Sequence, residues 1–156
     1  MADVLLGLGG NLGDVRAAFV SALGDLEAAG CRVLARSSDW TTPPWGVTDQ
    51  PPFVNACARI STDLEPHALL ALLKRIEVSH GRRPGLRWGP RTLDLDILDY
   101  DGRVVVTPDL VLPHPFVAER AFVLVPLAEI APDHRVAGRS ICELLTRLDT
   151  SGITRV

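Results

Sequence analysis

Two aspartates two residues apart, Asp94 and Asp96, are the residues of this chain best suited to chemistry. They lie in a segment, residues 92–98, that alternates polar and apolar side chains, which is typical of a half-buried strand. On such a strand both carboxylates point to one face, where they repel each other unless a cation lies between them. Carboxylate oxygens are ligands that suit Mg²⁺. The pattern predicts a metal site, with an ordinary solvated strand face as the alternative.

A cluster of arginines precedes the aspartates and consists of Arg82, Arg83, Arg87 and Arg91. Guanidinium groups bind phosphate oxygens in pairs, so these arginines beside the carboxylates suit a polyphosphate carried on Mg²⁺. The segment 81–90 is rich in glycine and proline at both ends, which predicts a loop that closes over a ligand. A cluster that only solubilises the loop is the alternative.

The elements that must position these groups follow from hydrophobic periodicity and from glycine and proline. We predict helices over residues 15–29, 65–80, 117–130 (with Pro126 kinking or dividing it) and 140–148, and strands over 3–9, 31–41, 53–62, 92–100 and, after an Asp101-Gly102 turn, 103–107. This order predicts an α+β fold of the ferredoxin-like βαββαβ type, an antiparallel sheet with helices on one face and a C-terminal elaboration. The other sheet face would be free to carry Asn55, Asp94 and Asp96.

Length and composition limit the kind of protein. The chain has 156 residues, which fits a single domain over 1–156, and its net charge of −3 argues against a general nucleic-acid binder. We find no signal peptide and no apolar run of the roughly 18 residues that a membrane span needs, so we expect a cytoplasmic protein. Cys31, Cys57 and Cys142 lack metal-ligand spacing, which indicates reduced, buried thiols.

Two loops attract attention for their composition. The glycine-rich stretch 9–14 lacks the spacing of a phosphate-binding loop, so we interpret it as a strand-to-helix turn with Asp14 at the helix N-terminus. The stretch 42–52 contains four prolines, Pro43, Pro44, Pro51 and Pro52, which predicts a long loop. Loops of this length in a compact domain are usually functional or disordered, and Trp45 needs something to cover it.

Several stretches together resemble the 6-hydroxymethyl-7,8-dihydropterin pyrophosphokinase family. They are TPPWGVTDQPPFVNA (42–56), RWGPRTLDLDIL (87–98), LPHPFVAERAFVLVPLAEIAP (112–132) and the opening LGLGGNLGD (6–14). The resemblance covers nearly the whole chain. It implies transfer of pyrophosphate from ATP to the hydroxymethyl group of the pterin, with release of AMP, in folate biosynthesis. It also implies two Mg²⁺ ions, and we expect a monomer whose partners are ATP and the pterin.

The resemblance also implies roles for individual residues. Catalytic roles fall on Arg82, Arg91, Asp94 and Asp96, with both aspartates holding metal. The pterin-binding positions are Thr42, Pro43, Trp45, Phe53, Asn55, Trp88 and Phe122. The ATP-binding positions are Glu77, Arg82, Arg83, Arg87, Arg91, Ile97, His114 and Arg120. Without the resemblance, Glu77 would be interpreted as a helix-surface carboxylate and His114 as a solvated loop histidine.

Two other functions stay open on the residues alone. One is a different two-metal phosphotransferase or nucleotidyltransferase, since two aspartates on a sheet face also serve that chemistry. It leaves the Trp-Gly-Pro-Arg stretch and the proline-rich aromatic loop unexplained. The other is a catalytically silent nucleotide-binding module, which would bind ATP without forming AMP.

Overall fold

The computed structural model describes residues 1–42, 51–81 and 92–156. The helices there are α1 (Val15–Ala28), α2 (Pro66–Ser79), α3 (Ala121–Ile130) and α4 (Ile141–Leu145), with a 3-10 turn at Val117–Glu119. The strands are β1 (Ala2–Gly10), β2 (Arg32–Arg36), β3 (Trp40–Thr42), β4 (Phe53–Thr62), β5 (Asp94–Tyr100), β6 (Val105–Val106), β7 (Val111–Leu112), β8 (Arg135–Val136), β9 (Arg139–Ser140) and β10 (Thr154–Arg155). The predicted mixture of helices with an antiparallel sheet is confirmed.

The first two helices begin and end within one residue of the predicted positions. The side chain of Asp14 accepts the backbone N–H of Ala17 at 3.1 Å and so caps α1, as the sequence predicted. Gly30 and Gly81 follow the two helices with φ of 97° and 87°, a left-handed conformation that glycine adopts without steric cost. These local signals fix where α1 and α2 stop, and therefore where the chain returns to the sheet.

Over the described ranges the main sheet has six strands, and β1 lies between β4 and β5. All of its pairings are antiparallel. The far side of β4 is shared, since β3 pairs with its first half and β2 with its second half. The C-terminal strand β10 then extends the sheet by pairing with β3. Within this sheet β5, which carries Asp94 and Asp96, is an end strand.

The single strand predicted over 31–41 is wrong, because the structure divides it into β2 and β3. At the break the N–H of Ser37 still donates to the Cys57 carbonyl at 2.9 Å, and side chains make further hydrogen bonds. Ser37 accepts the backbone N–H of Cys57 through Oγ at 2.8 Å, and Asp39 accepts hydrogen bonds from Arg16 and Arg36 at 2.8 and 3.0 Å. Short polar side chains that satisfy backbone groups in this way compete with a regular ladder.

Two predictions for the second half of the chain also need correction. The Asp101-Gly102 turn forms, but the strand after it, β6, pairs with β7 and not with β5. The segment 117–130 is divided at Arg120, between the 3-10 turn and α3, whereas Pro126 lies inside α3. The predicted terminal helix is shorter than expected: α4 spans five residues and is capped by the side chain of Ser140.

The sheet carries a hydrophobic core on each face. On the first face α1 and α2 cover the side chains of Val4, Leu6 and Leu8, and Phe19 is completely buried there. Burial of a side chain such as Phe19 stabilises the fold by about 1.5–3 kcal/mol. On the second face, Leu124 and Leu127 of α3 and Ile141 of α4 pack against the sheet. The prediction that this face is free is therefore wrong in part: α3 and α4 cover one region and leave the remainder open.

The cysteine prediction holds for Cys31 and Cys57, which are buried thiols, but Cys142 is exposed. Among the described residues, no helix combines the length and the apolar character that crossing a membrane requires.

Candidate active site

The open part of the second sheet face forms a cavity of about 670 Å³. Its floor comes from β1, its walls from β4 and β5, and its rim from the segment that joins β7 to α3. The predicted site residues among its lining are Thr42, Phe53, Asn55, Asp94, Asp96, His114, Arg120 and Phe122. The fold thus brings together residues that are up to 80 positions apart in the sequence (Thr42 and Phe122).

The floor of the cavity consists largely of backbone. Gly7 and Gly9 occupy alternate positions of β1, opposite Cys57 and Asn55 on one side and Asp96 and Asp94 on the other. A Cβ atom on Gly9 would lie 2.9 Å from Nδ2 of Asn55, and one on Gly7 would lie 3.4 Å from Cδ2 of Leu98. The glycines therefore provide space. Sequence reasoning missed this role, although glycines two apart in a strand indicate one bare stretch on one face.

The acidic pair lies on β5 as predicted. Asp94 and Asp96 are opposite Gly9 and Gly7, so both are on the cavity face, while Leu95 between them points into the first core. Asp94 is half-buried and Asp96 is exposed. In the described part of the chain no group of three or more His, Cys, Asp and Glu could form a metal site. Two carboxylates that line one cavity fit Mg²⁺, which usually takes one or two carboxylates and completes its shell with water and substrate phosphates.

Glu77 reaches the acidic strand from α2. Glu77 is only 5% exposed, and its Oε2 accepts a hydrogen bond from the backbone N–H of Leu95 at 2.8 Å. The interpretation of Glu77 as a helix-surface carboxylate is therefore wrong. Its predicted contact with ATP stays a prediction. Ile97 also belongs to the first core and is 4% exposed, so a nucleotide would have to meet its backbone and not its side chain.

One wall combines aromatic rings with a paired amide. Thr42 on β3 is buried and donates its hydroxyl hydrogen to Oδ1 of Asn55 on β4 at 3.1 Å. That bond fixes which end of the Asn55 amide lies over Gly9, since Nδ2 is the atom that a Cβ there would approach. Phe53 comes from the start of β4 and Phe122 from the first turn of α3, and both line the same cavity. Flat rings bind well between aromatic faces that carry a few polar partners.

His114 is held by the backbone on both sides. The backbone N–H of His114 donates to the Leu98 carbonyl at 2.9 Å, and the ring Nδ1 accepts a hydrogen bond from the backbone N–H of Phe116 at 3.3 Å. With Nδ1 as an acceptor, the neutral ring carries its proton on Nε2. Burial lowers the pKa of His114, Asp96 opposes that shift and Arg120 adds to it. The interpretation of His114 as a solvated loop histidine is wrong, because the ring is half-buried in the cavity wall.

Arg120 lies at the junction between the 3-10 turn and α3. The Cζ atom of its guanidinium lies 5.0 Å from the ring centroid of Phe116 and 5.7 Å from that of Phe122. Distances below about 6 Å are typical of cation–π contacts. Arg120 and His114 therefore form a wall of hydrogen-bond donors close to Asp96.

The remaining predicted site residues lie outside the described residues. They are Pro43, Trp45, Arg82, Arg83, Arg87, Trp88 and Arg91. Their predicted roles in binding pterin and phosphate stay predictions.

A cavity that combines a carboxylate pair, a wall of donors and an aromatic wall is typical of enzymes that act on small molecules. The sequence matches the family model described as 7,8-dihydro-6-hydroxymethylpterin-pyrophosphokinase (HPPK) over residues 5–132. The chain belongs to this family.

Individual relatives agree with the family. The chain is 54% identical to a 2-amino-4-hydroxy-6-hydroxymethyldihydropteridine pyrophosphokinase of Methylorubrum extorquens, over 100% of this chain and 99% of the relative. It is 44% identical to the protein of the same name from Pseudomonas aeruginosa, over 98% and 96% of the two chains. Its fold resembles that of a Plasmodium falciparum HPPK-DHPS, with a TM-score of 0.75 at 13% identity, covering 99% of this chain and 47% of the other. This chain thus spans about half the length of that protein.

Proposed function

We propose that this chain transfers pyrophosphate from ATP to the hydroxymethyl group of 6-hydroxymethyl-7,8-dihydropterin, giving AMP and the pterin diphosphate in folate biosynthesis. One observation carries the proposal: a single cavity joins the acidic pair on β5 to the wall formed by Phe53, Asn55 and Phe122. A phosphate chain held at the acidic pair and a flat ring held at the aromatic wall would meet inside that cavity. Membership of the pyrophosphokinase family supports the same reaction.

Asp94 and Asp96 would hold Mg²⁺, as two ions. When bound, the metal neutralises phosphate charge and makes the pterin hydroxyl easier to ionise. The two carboxylates fit this purpose because they lie on the same face of β5, opposite Gly9 and Gly7, which carry no side chains of their own.

The chain's own residues bind and orient the two substrates. Phe53 and Phe122 would hold the faces of the pterin, and Asn55, fixed by Thr42, would read its edge. His114 and Arg120 would hold phosphate oxygens, together with Arg82, Arg83, Arg87 and Arg91. In the reaction the hydroxymethyl oxygen bonds to the β-phosphorus, the bond from that phosphorus to the oxygen bridging the α- and β-phosphates breaks, AMP leaves, and the hydroxyl proton passes to solvent. Positioning and charge stabilisation supply most of the catalysis in such transfers.

We also propose that the sheet is a variant of the ferredoxin-like plan. The strand order β5-β1-β4, with β2 and β3 sharing the outer edge of β4 and with α1 and α2 on one face, supports this interpretation. The division of one expected strand into β2 and β3, and the addition of β10, are the departures from it. We further propose that the protein acts in the cytoplasm as a monomer. The unpaired thiols Cys31 and Cys57 agree with a reducing compartment.

The decisive experiment is nucleotide analysis after the protein is mixed with Mg²⁺, ATP and 6-hydroxymethyl-7,8-dihydropterin. AMP that forms only when the pterin is present is the expected result. ADP in its place would indicate an ordinary kinase. Bound ATP without turnover would indicate a silent nucleotide-binding module. The variant Glu27→Gln, which changes an exposed carboxylate of α1, is the control for effects of charge alone.

A further inference from the structure

Phe116 is a large apolar residue at the rim of the cavity, and 48% of its surface is exposed. Core packing does not explain it, because the next residue, Val117, is 2% exposed and anchors the 3-10 turn in the second core. We therefore look for a function of this exposed phenyl ring within the site.

Phe116 contacts both donors of the cavity wall, Arg120 and His114. Its ring centroid lies 5.0 Å from Cζ of Arg120, which is closer than the 5.7 Å from that Cζ to the ring of Phe122. The ring of His114 meets it edge-on, with 6.1 Å between centroids and 64° between planes. The backbone N–H of Phe116 also donates to Nδ1 of His114 at 3.3 Å.

The geometry of a guanidinium explains what these contacts do. Its N–H donors lie around the edge of a flat group, so a guanidinium that lies over a ring uses its face there and keeps its edge for phosphate oxygens. A long arginine side chain loses substantial rotamer freedom when it binds a ligand, and a contact made beforehand lowers that cost. In the described part of the chain no carboxylate lies within 4.0 Å of the Arg120 nitrogens. We therefore take the contacts with the rings of Phe116 and Phe122 as the interactions that position the guanidinium.

We infer that Phe116 is a positioning residue, which holds Arg120 against the cavity wall so that its guanidinium edge receives the phosphate groups of the nucleotide. The inference rests on the proposed function, because it takes the nucleotide to bind at this wall. It predicts that Phe116 acts on nucleotide affinity through Arg120, and that it leaves pterin affinity unchanged.

The test is a double-mutant cycle on nucleotide binding. Titration calorimetry would measure the affinity of the Mg²⁺ complex of α,β-methylene-ATP for wild type, Phe116→Ala, Arg120→Ala and the double variant. We expect Phe116→Ala to weaken binding by about two- to fivefold, as the loss of an exposed cation–π contact would. In the Arg120→Ala background the same change should have no effect. Phe116→Tyr keeps an aromatic face and should restore wild-type affinity.

Each contrary outcome has its own meaning. An unchanged affinity in Phe116→Ala overturns the inference while AMP formation by the wild type keeps the proposed function intact. Equal losses in the presence and absence of Arg120 overturn it as well, because Phe116 would then contact the nucleotide directly. A change in pterin affinity alone also overturns it. If the wild type binds no nucleotide, the proposed function fails and the inference fails with it. Val106→Ala, a change at an exposed apolar residue of β6, is the matched control and should alter neither affinity.

Discussion

Glu77 on α2 accepts the backbone N–H of Leu95 on β5 at 2.8 Å, and Leu95 lies between the two aspartates of the cavity. Among the described residues β5 is an end strand of the main sheet, so no strand of that sheet in this part of the chain pairs with its outward backbone groups. The Glu77 carboxylate takes the place of such a neighbour at this position. We infer that it helps to fix the path of the strand, and therefore the spacing of Asp94 and Asp96.

The first prediction concerns this bond. Glu77→Ala should lower the free energy of unfolding by about 1–3 kcal/mol, because it leaves the buried N–H of Leu95 without its acceptor. Glu77→Gln keeps an acceptor oxygen and should lose clearly less. Thermal unfolding measures both, and Glu27→Ala on the surface of α1 is the control. Equal losses in the Ala and Gln variants would show that the negative charge, and not the acceptor, is what matters.

The second prediction concerns the glycine floor. Gly9→Ala would bring a methyl group to 2.9 Å from Nδ2 of Asn55, so Asn55 must move. We expect pterin affinity to fall by roughly tenfold, as the loss of one hydrogen bond would cause, while the protein stays folded. Fluorescence titration with the pterin measures this. Gly7→Ala, which meets only the flexible side chain of Leu98 at 3.4 Å, should have a smaller effect, and an equal one would contradict the role given to Asn55.

A glycine outside the cavity lining provides the control for the general effect of replacing glycine by alanine. Gly24 lies in α1, and a Cβ there would meet nothing within 4 Å. Gly24→Ala should therefore raise stability by up to about 1 kcal/mol, from helix propensity, and leave pterin affinity unchanged.

The third prediction concerns the acidic pair. Asp96→Asn should reduce AMP formation by at least about a hundredfold, because it removes one of the two proposed metal ligands. Without Mg²⁺ the variant should be at least as stable as the wild type, since one of two repelling charges is gone. Thermal unfolding with and without Mg²⁺ would separate the effects, because only the wild type should gain stability from the ion. A variant that is folded and fully active would contradict the proposed role of Asp96 as a metal ligand.

The fourth prediction concerns the charge of His114. Its pKa, measured by NMR in the metal-free protein, should lie below the ordinary value of about 6.5, chiefly because the ring is buried. Arg120→Met should raise this pKa by removing a nearby positive charge, and Asp96→Asn should lower it further by removing a negative one. Shifts in the opposite directions would contradict the arrangement of the three side chains.

The same pKa has a consequence for stability. As the pH falls, His114 is protonated in the unfolded chain before it is protonated in the folded protein. The contribution of His114 to folding stability is therefore fully present above about pH 6.5 and is lost as the pH falls towards the lower pKa of the folded state. His114→Gln should therefore lose less stability than the wild type as the pH is lowered through this window. Chemical denaturation at several pH values measures the difference.

Much of the fold follows from local patterns. Asp14, Gly30 and Gly81 mark the ends of α1 and α2, and the alternation along β4 correctly separates Asn55 and Cys57 from Ala56 and Ala58. The pairing of Asp94 with Asp96 follows from the same period of two. These features depend only on neighbours in the sequence, which is why the sequence suffices to predict them.

The missed features depend on contacts between distant segments. The second core pairs α3 with the sheet, and nothing in the apolar run 121–130 indicates which surface it will cover. The break at Ser37 depends on its bond to Cys57, twenty residues away. The burial of Glu77 was within reach of the sequence, because this residue lies four positions after Leu73 and eight after Leu69, on the buried side of α2.

The backbone floor at Gly7 and Gly9 also matters for the design of inhibitors. A compound that rests on this floor meets peptide groups, which no single substitution of a side chain removes. A change of Gly9 that introduces a side chain would displace Asn55 as well, and with it the contact that we propose Asn55 makes with the pterin. Under the proposed function, resistance at this position would carry a fitness cost, and compounds anchored there should retain potency for longer than compounds anchored on the exposed ring of Phe116.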